Sequence, residues 1–401
     1  MRIRSDQLMD LFRLRGALAA AGMFAAVALV YSATTQGVRG PHVSLLRAPG
    51  GGIQPQTVLD SRGVLHMIYF TGNADAGDIE YVRRAPGAQA FSKPIRVNSQ
   101  PESALAVGTV RGPQMAVGRD GRVYVVWFGS SKAKPRGPDG STPLFFSRLN
   151  ASGTAFEPQR NLVTYAKGLD GGLSVAADRM GNVYVVWHAM GKIPGESHRR
   201  VYLARSTNDG KTFEREAPVS PARLGACGCC GMRSFVDSRG VLYVLYRAAA
   251  EDIHRNMTLL VSTDRGQTFH SEEVSAWELN ACPMSTDYLS EGAGSVLAAW
   301  ERAGEVYFDK INPRTFQLSS SVAAPGQGSD RKHPAVAANL RGQVLLAWTE
   351  GTGWKKGGSL AWQVFDRAGK PIGAVGHAPG VPAWDMPSVY ATANGNFTIA
   401  Y

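Results

Sequence analysis

One pattern recurs seven times along the sequence: a short apolar strand, a turn that contains glycine, and a second strand that ends in an aromatic residue. The second copy, PQMAVGRDGRVYVVW, shows all three parts. Apolar and aromatic strands on either side of such a turn are typical of a β-hairpin. In every copy the aromatic residue stands six positions after the glycine. The pairs are Gly63 and Tyr69, Gly121 and Trp127, Gly181 and Trp187, Gly240 and Tyr246, Gly294 and Trp300, Gly342 and Trp348, and Gly395 and Tyr401.

Successive copies are roughly fifty to sixty residues apart, which leaves room for two more strands in each unit. Four strands repeated at this period are the signature of a β-propeller, in which radial repetition protects the sheet edges. We therefore expect an all-β fold, a β-propeller of four-stranded blades over residues 42–401. The seven copies favour seven blades.

The chain ends on the seventh aromatic residue, Tyr401, so the last unit has no outer strands of its own. The segment HVSLLRA, residues 42–48, stands before the first hairpin and is apolar enough to form a strand. We expect this segment to close the ring by joining the last sheet.

The N-terminus differs from the rest. An apolar run of residues 16–33 follows four arginines and ends in small residues, which is typical of an export signal. The run is close to the ~20 residues that span a bilayer, so an uncleaved anchor is the alternative. We expect a signal peptide or membrane anchor at 1–33, a linker at 34–41, and an exported domain that is periplasmic or extracellular. The arginines are Arg2, Arg4, Arg13 and Arg15.

The formal charge of +11 is spread along the chain without a Lys/Arg block. A scattered excess affects solubility, and no nucleic-acid-reading motif accompanies it. We expect no nucleic-acid partner and a monomeric protein.

Two segments carry a second motif, STNDGKTF at 206–213 and STDRGQTF at 262–269. Both match the Asp box, Ser-x-Asp-x-Gly-x-Thr-Phe, with Asn208 in place of Asp in the first copy. The acidic or amide side chain of such a box caps the backbone of a tight turn. On this motif the chain resembles the Asp-box (bacterial neuraminidase repeat) propellers, the superfamily that includes sialidases. Sialidases have six blades, so the resemblance makes six blades the alternative, and it implies that the boxes lie away from the ligand face.

In a propeller, the loops before each first strand and after each second strand crowd one face around the axis. Function is usually placed on such loops. Reading these positions off the repeats gives a set of polar candidates. They are Gln54, Arg111, Asp170, 227–233, 282–287, His333 and Asp385 before the hairpins, and His188, Arg247, Glu301 and Glu350 after the aromatic residues.

All four cysteines of the chain fall at these positions, in two neighbouring units. Three interpretations stay open. The first is structural disulfides, with one cysteine of the cluster bridging to Cys282. The second is a soft-metal site for copper or zinc, and the third is a redox-active thiol pair. The candidate metal ligands are Cys227, Cys229, Cys230, Cys282, Met284 and His188, with Met232 as a further thioether.

The same residues resemble a subgroup of exported Asp-box propellers that has a Cys-x-Cys-Cys loop and a later Trp-x-x-x-x-Cys-Pro-Met. Here the second motif runs from Trp277 to Met284. The resemblance implies a dedicated site and does not imply an activity.

Sialidases share three arginines that bind the substrate carboxylate, a Tyr nucleophile assisted by Glu, and an Asp acid/base. Of these only Arg247 finds a matching position. The first arginine is replaced by Gln54 in GGIQPQ, and the cysteine cluster stands where the Glu is expected. A glycosidase of another kind would use two carboxylates, and Glu301, Glu350 and Asp385 lie at suitable positions. The catalytic set is therefore incomplete.

The sequence as a whole predicts an exported propeller that acts as a binding or soft-metal (copper) handling module, with its cysteine-rich site on the ligand face. One alternative is a sialidase-like glycoside hydrolase. Another is a disulfide-bonded scaffold that recognises a protein or glycan partner. The expected partner is a glycan, a small ligand or a protein.

Overall fold

The computed structural model describes residues 40–328 and 330–401. The expected leader, and the linker up to residue 39, lie outside these residues. Within the described ranges no helix is both long and apolar enough to cross a membrane.

The strands form seven separate sheets in chain order, so the chain is an all-β propeller with seven blades. This confirms the fold predicted from the hairpin repeat, and the alternative of six blades is wrong. Blades 1 to 6 have four strands each, and blade 7 has three. Neighbouring strands of blades 1 to 6 are antiparallel.

The strands of blades 1 to 3 are β2 Ile53–Leu59, β3 Leu65–Asn73, β4 Ala76–Arg84 and β5 Ile95–Arg96; β6 Gln114–Val117, β7 Val123–Phe128, β8 Leu144–Arg148 and β9 Arg160–Asn161; and β10 Leu173–Ala177, β11 Val183–Ala189, β12 Arg200–Ser206 and β13 Ala217–Pro218. Those of blades 4 to 6 are β14 Met232–Val236, β15 Leu242–Arg247, β16 Met257–Ser262 and β17 His270–Ser275; β18 Asp287–Gly292, β19 Ser295–Arg302, β20 Glu305–Ile311 and β21 Val322–Ala323; and β22 Arg331–Ala338, β23 Val344–Glu350, β24 Gly358–Phe365 and β25 Pro371–Val381. Blade 7 consists of β26 Ser388–Ala391, β27 Phe397–Ala400 and β1 Val43–Leu46. Short 3-10 turns span Pro49–Gly51, Arg119–Gly121, Pro138–Gly140, Glu196–His198 and Ala222–Leu224.

The ring closes as the sequence predicts, because β1 from the N-terminal side joins the last sheet. It pairs with β27 in parallel, from Val43 opposite Phe397 to Leu46 opposite Ala400. The N–H of Tyr401 then donates to the carbonyl of Leu46 at 3.0 Å. The two ends of the propeller are therefore held in one sheet.

The seven hairpins form because their turn glycines adopt a conformation that other residues avoid. All seven have positive φ, between 70° and 91°, where a Cβ would be strained. The seven aromatic residues that follow are at most 6% exposed, and they pack between neighbouring blades. Trp187 of blade 3, for example, shares one apolar cluster with Tyr124 of blade 2. Burial of such large rings stabilises the contacts between blades.

The Asp boxes lie beside the hairpin turns, as the N–H of Asp209 donates to the carbonyl of Gly181 at 2.8 Å. Phe213 of the first box packs edge-on against Phe146 of the preceding blade, with ring centroids 4.8 Å apart. We call this side the turn face. The opposite side, which carries the loops before the first strand and after the second strand of each blade, is the loop face.

Candidate functional site

All four cysteines meet on the loop face, where blades 4 and 5 adjoin. Cys229 forms a disulfide with Cys282, and their Cα atoms are 6.1 Å apart. Cys227 and Cys230 are free thiols whose Sγ atoms lie 3.0 Å from each other. The Sγ atoms of Cys227 and Cys229 are 3.5 Å apart. The three clustered cysteines are buried and Cys282 is exposed, so the disulfide leads from the interior to the surface.

The cysteine loop, residues 227–231, is fixed by three blades. Three of its backbone N–H groups each donate to an acceptor from a different blade. The bonds are Gly228 to Glu196 Oε1 at 2.6 Å, Cys227 to the carbonyl of Arg247 at 2.9 Å, and Gly231 to the carbonyl of Ser285 at 2.8 Å. A loop with its backbone satisfied on three sides holds the sulfur atoms in fixed positions.

Two glycines of blade 3 allow the cysteine loop to pack closely against that blade. A Cβ on Gly172 would lie 2.3 Å from the backbone nitrogen of Met232, and one on Gly171 would lie 2.6 Å from the carbonyl oxygen of Cys230. Real Cβ atoms do not come so close to backbone. The GG pair before β10 is therefore a packing requirement of the cysteine loop.

The pKa values of the two free thiols are shifted in opposite directions. Burial alone would raise the pKa of Cys230, but the hydrogen bond with Cys227, the positive charge of Arg247 and the N–H of Ser285 outweigh burial and lower it to about 7. The hydrogen bond with Cys230, followed by burial, raises the pKa of Cys227. The first proton that the pair loses therefore comes from Cys230, and the thiolate left there accepts a hydrogen bond from Cys227.

Arg247 lies behind the thiols and is 2% exposed. Its two Nη atoms donate to the carbonyl oxygens of Arg255 at 2.9 Å and Glu301 at 2.5 Å. Its guanidinium stands over the ring of Trp277, 4.9 Å from the centroid. Both Nη atoms are therefore engaged with carbonyl oxygens of the protein, and Arg247 does not present the free guanidinium that binds a substrate carboxylate.

Two of the three carboxylates considered for glycosidase chemistry are also buried, Glu301 at 2% and Asp385 at 1% exposure. Glu301 Oε1 accepts the N–H of Gly304 at 2.8 Å. Asp385 Oδ1 accepts the N–H of Gln54 at 2.6 Å, and burial raises the pKa of Asp385 to about 6. Both groups hold loops in place, and neither lines the pocket described below.

His188 contacts the cysteine loop through its backbone and not through the sulfur atoms. Its Nε2 lies 3.3 Å from the carbonyl oxygen of Cys230 and 3.2 Å from the N–H of Gly172. Its Nδ1 faces Arg199 Nη2 at 3.4 Å. Burial lowers the pKa of His188 to about 3, so the ring is neutral and orders the loop.

Fewer of the metal ligands expected from the sequence are therefore free to bind an ion while the disulfide is formed. Cys229 and Cys282 are engaged with each other, which leaves Cys227 and Cys230 as thiols. Met284 packs against the cysteine cluster and remains available as a thioether. Met232 is buried at the start of β14.

The other loop-face candidates do not join the sulfur cluster. Arg111 pairs with Asp170 at 2.6 Å. His333 Nδ1 faces Thr286 Oγ1 at 3.3 Å, and burial lowers the pKa of His333 to about 3. Glu350 Oε1 accepts the indole N–H of Trp348 at 2.8 Å.

A pocket of about 110 Å³ opens beside the exposed end of the disulfide. Its lining includes Cys282, Met284, Lys332, Trp354 and Trp384, and no carboxylate. Trp354 is 58% exposed and meets Trp384 edge-on at 4.6 Å. We call this space the loop-face pocket. An aromatic pair with cationic neighbours suits a small ligand that is apolar on one side and anionic or polar on the other.

Sequence reasoning missed Glu196, Trp354 and the GG pair as parts of this region. A carboxylate oxygen of Glu196 and the Sγ atoms of Cys229 and Cys282 lie within 4.8 Å of one another. Both Glu196 and Trp354 stand in glycine-containing loops that follow a repeat aromatic, Trp187 and Trp348. Those loops belong to the loop face by register, so their length and glycine content were a usable signal.

No family model matches the sequence, and no curated protein matches it. Among solved structures, a protein of unknown function from Dyadobacter fermentans has 13% identity and a TM-score of 0.52, with 78% of this chain and 94% of that chain covered. The α-L-arabinanase of Penicillium chrysogenum, complexed with arabinobiose, has 11% identity and a TM-score of 0.50, with coverage of 79% and 94%. The Hadza microbial sialidase Hz136 has 13% identity and a TM-score of 0.49, with coverage of 80% and 73%. At these identities the likeness to the first two structures shows the propeller fold and nothing more, and this fold agrees with the one implied by the Asp boxes.

Proposed function

We propose that this chain is an exported propeller that binds a soft metal ion, Cu(I), through Cys227 and Cys230, with Met284 as a thioether ligand. The observation that carries the proposal is the pair of free, buried thiols 3.0 Å apart, beside Met284 in a loop fixed by three blades. Thiolate and thioether sulfurs are the ligands that select Cu(I).

The number and kind of ligands favour copper over zinc. A structural zinc site uses four N, S or O ligands in a tetrahedron. Here the disulfide occupies two sulfurs, and the ring of His188 is directed at backbone. Two thiolates and a thioether satisfy Cu(I), which accepts low coordination numbers.

Charge balance supports the same ion. Two thiolates with Cu(I) carry one net negative charge, and the guanidinium of Arg247 supplies a positive charge close enough to lower the pKa of Cys230. A buried charge needs such a partner to be tolerated. The disulfide and the leader expected at 1–33 both fit an oxidising compartment outside the cytoplasm.

The test is a Cu(I) titration against a competing chelator, with protein kept anaerobic and its disulfide intact. We expect one equivalent of copper, and its loss in Cys227→Ser and in Cys230→Ser. The double variant Cys229→Ser/Cys282→Ser is the matched control, because it keeps the thiol pair and should still bind. The proposal fails if the wild-type protein binds no copper or if zinc displaces copper at equal concentration.

A second candidate function is glycan or small-ligand binding in the loop-face pocket, and the exposed Trp354 favours it. Aromatic faces bind the C–H faces of sugars, and the nearby Lys332 suits an acidic one. A glycan array with the wild-type protein should show binding that Trp354→Ala abolishes. Leu340→Ala is the control, since Leu340 is 83% exposed in a hairpin turn on the turn face. Equal binding by wild type and Trp354→Ala would exclude this pocket.

A further inference from the structure

We propose that the disulfide moves within the protein, from Cys229–Cys282 to Cys227–Cys230, by internal thiol–disulfide exchange. The free thiol of Cys227 lies 3.5 Å from the sulfur of Cys229, which belongs to the disulfide, and 3.0 Å from the sulfur of Cys230. The thiol of Cys227 therefore lies at contact distance from both the disulfide sulfur of Cys229 and the second thiol, Cys230. Exchange through a mixed disulfide requires this arrangement.

The exchange takes two steps, and both balance. In the first, the proton of Cys227 leaves through its hydrogen bond with Cys230, and the resulting Cys227 thiolate attacks Cys229 Sγ. The Cys227–Cys229 bond forms, and the Cys229–Cys282 bond breaks. The electron pair leaves on Cys282 Sγ, which takes up one proton for the proton that Cys227 gives up. In the second, Cys230 gives up its proton and its Sγ attacks Cys227 Sγ, so that the Cys227–Cys230 bond forms and the Cys227–Cys229 bond breaks. Cys229 leaves with the electron pair and takes up one proton to become a thiol. One disulfide and two thiols are present before and after, so no external oxidant or reductant is needed.

The surroundings favour Cys282 as the leaving group. Cys282 is the exposed member of the disulfide, and water stabilises the thiolate that leaves. Cys229 is buried against the thiol pair and is the sulfur that Cys227 reaches. Attack at the buried sulfur with departure toward solvent gives the exchange a defined direction.

The result is a chain whose two thiols are both buried in one state, whereas in the other state one of them, Cys282, is at the surface. After exchange, Cys229 and Cys282 carry the thiols, next to the carboxylate of Glu196 and in the wall of the loop-face pocket. The exchange itself requires no metal. Its consequence for copper rests on the proposed function: the ion would be held by the inner pair in one state and offered at the pocket in the other.

Tryptic peptides report the two states separately. Cys227, Cys229 and Cys230 fall in peptide 224–233, and Cys282 falls in peptide 266–302. Metal-free native protein is incubated with N-ethylmaleimide, quenched with acid at successive times, digested and analysed by mass spectrometry. We expect the cross-linked pair of peptides to be replaced by 266–302 alkylated at Cys282, together with 224–233 carrying an internal disulfide.

Two variants separate the steps. Cys230→Ser retains the first step, so it should still release Cys282 to the reagent with Cys227 bonded to Cys229. Cys227→Ser removes the attacking thiol and should keep the peptides cross-linked. The inference is overturned if wild-type protein becomes alkylated at Cys227 or Cys230 while the cross-link persists. Melting curves of both variants confirm that they are folded.

One equivalent of Cu(I), added before the reagent, distinguishes this inference from the proposed function. If copper binds and the metal-free protein shows no exchange, only the exchange is excluded. If exchange occurs and copper neither binds nor slows it, the exchange stands and the copper site is excluded.

Discussion

Asp385 accepts the backbone N–H of Gln54 at 2.6 Å, and this bond joins the last blade of the ring to the first on the loop face. The same oxygen accepts the N–H of Met386 at 2.8 Å. The other carboxylate oxygen is buried and has no hydrogen-bond partner among the described residues. Burial outweighs the two bonds and raises the pKa of Asp385 to about 6. The contact between the last and the first blade thus contains a carboxyl group that keeps its proton to a higher pH in the folded chain than in the unfolded chain.

The first prediction concerns the pH dependence of stability. Between pH ~4 and ~6 the folded chain keeps a proton on Asp385 that the unfolded chain has lost, so the free energy of unfolding falls as pH rises. The total fall is about 3 kcal/mol for a shift of this size. Asp385→Asn cannot ionise and should lose this part of the slope. Urea denaturation in steps from pH 4 to pH 7 measures it.

A carboxylate with the opposite shift provides the control. Hydrogen bonds, first that of Thr268, lower the pKa of Asp264. The stability that its ionised form contributes to the folded chain is therefore lost only as pH falls below the usual pKa range of an Asp. Asp264→Asn should therefore leave the slope between pH 4 and pH 6 unchanged. An unchanged slope in Asp385→Asn would contradict the assignment.

The second prediction concerns closure of the ring. A chain that starts at Pro49 lacks β1 and leaves the edge of β27 unpaired. We expect it to lose cooperative unfolding or to aggregate, because an open apolar strand edge is exposed. A chain that starts at Gly40 keeps β1 and is the control. A shortened chain with the melting temperature of the control would show that β1 does not close the propeller.

The third prediction concerns the Asp boxes. Asp264 accepts the N–H of Thr268 at 2.9 Å, and Asn208 accepts the N–H of Thr212 at 3.0 Å in the same way. Asp264→Asn reproduces the first box and should change the free energy of unfolding by a few tenths of a kcal/mol. Asp264→Ala removes the acceptor and should cost about 1 kcal/mol. Chemical denaturation of both variants measures the difference, and equal stability would show that the box side chain does not cap its turn.

The sequence predicted the fold because the repeat is local. Each hairpin is defined by a glycine and an aromatic residue six positions later, and Trp127 or Trp348 is buried by that register alone. The closure by β1 followed from counting strands.

The pairing of the cysteines could not be predicted in the same way. Whether Cys227 or Cys229 bonds to Cys282 depends on how two loops far apart in sequence pack together, because the Sγ atoms of Cys227 and Cys229 are only 3.5 Å apart. The direction of the His188 ring depends on a side-chain rotamer. Register places such residues on a face, and only the packed structure shows which of their atoms meet.

The last prediction tests whether the GG pair of blade 3 shapes the cysteine site. A Cβ on Gly172 would lie 2.3 Å from the backbone nitrogen of Met232, so Gly172→Ala must displace the end of the cysteine loop. Overpacking against backbone typically costs about 1–3 kcal/mol. We expect a lower melting temperature and faster alkylation of Cys227 and Cys230, because the displaced loop exposes their sulfurs. Gly353→Ala is the matched control on the same face, since its Cβ would meet nothing closer than 3.9 Å. If Gly172→Ala melts and reacts like this control, the contact with Met232 does not hold the loop, and the thiols are positioned by the hydrogen bonds to Glu196, Arg247 and Ser285.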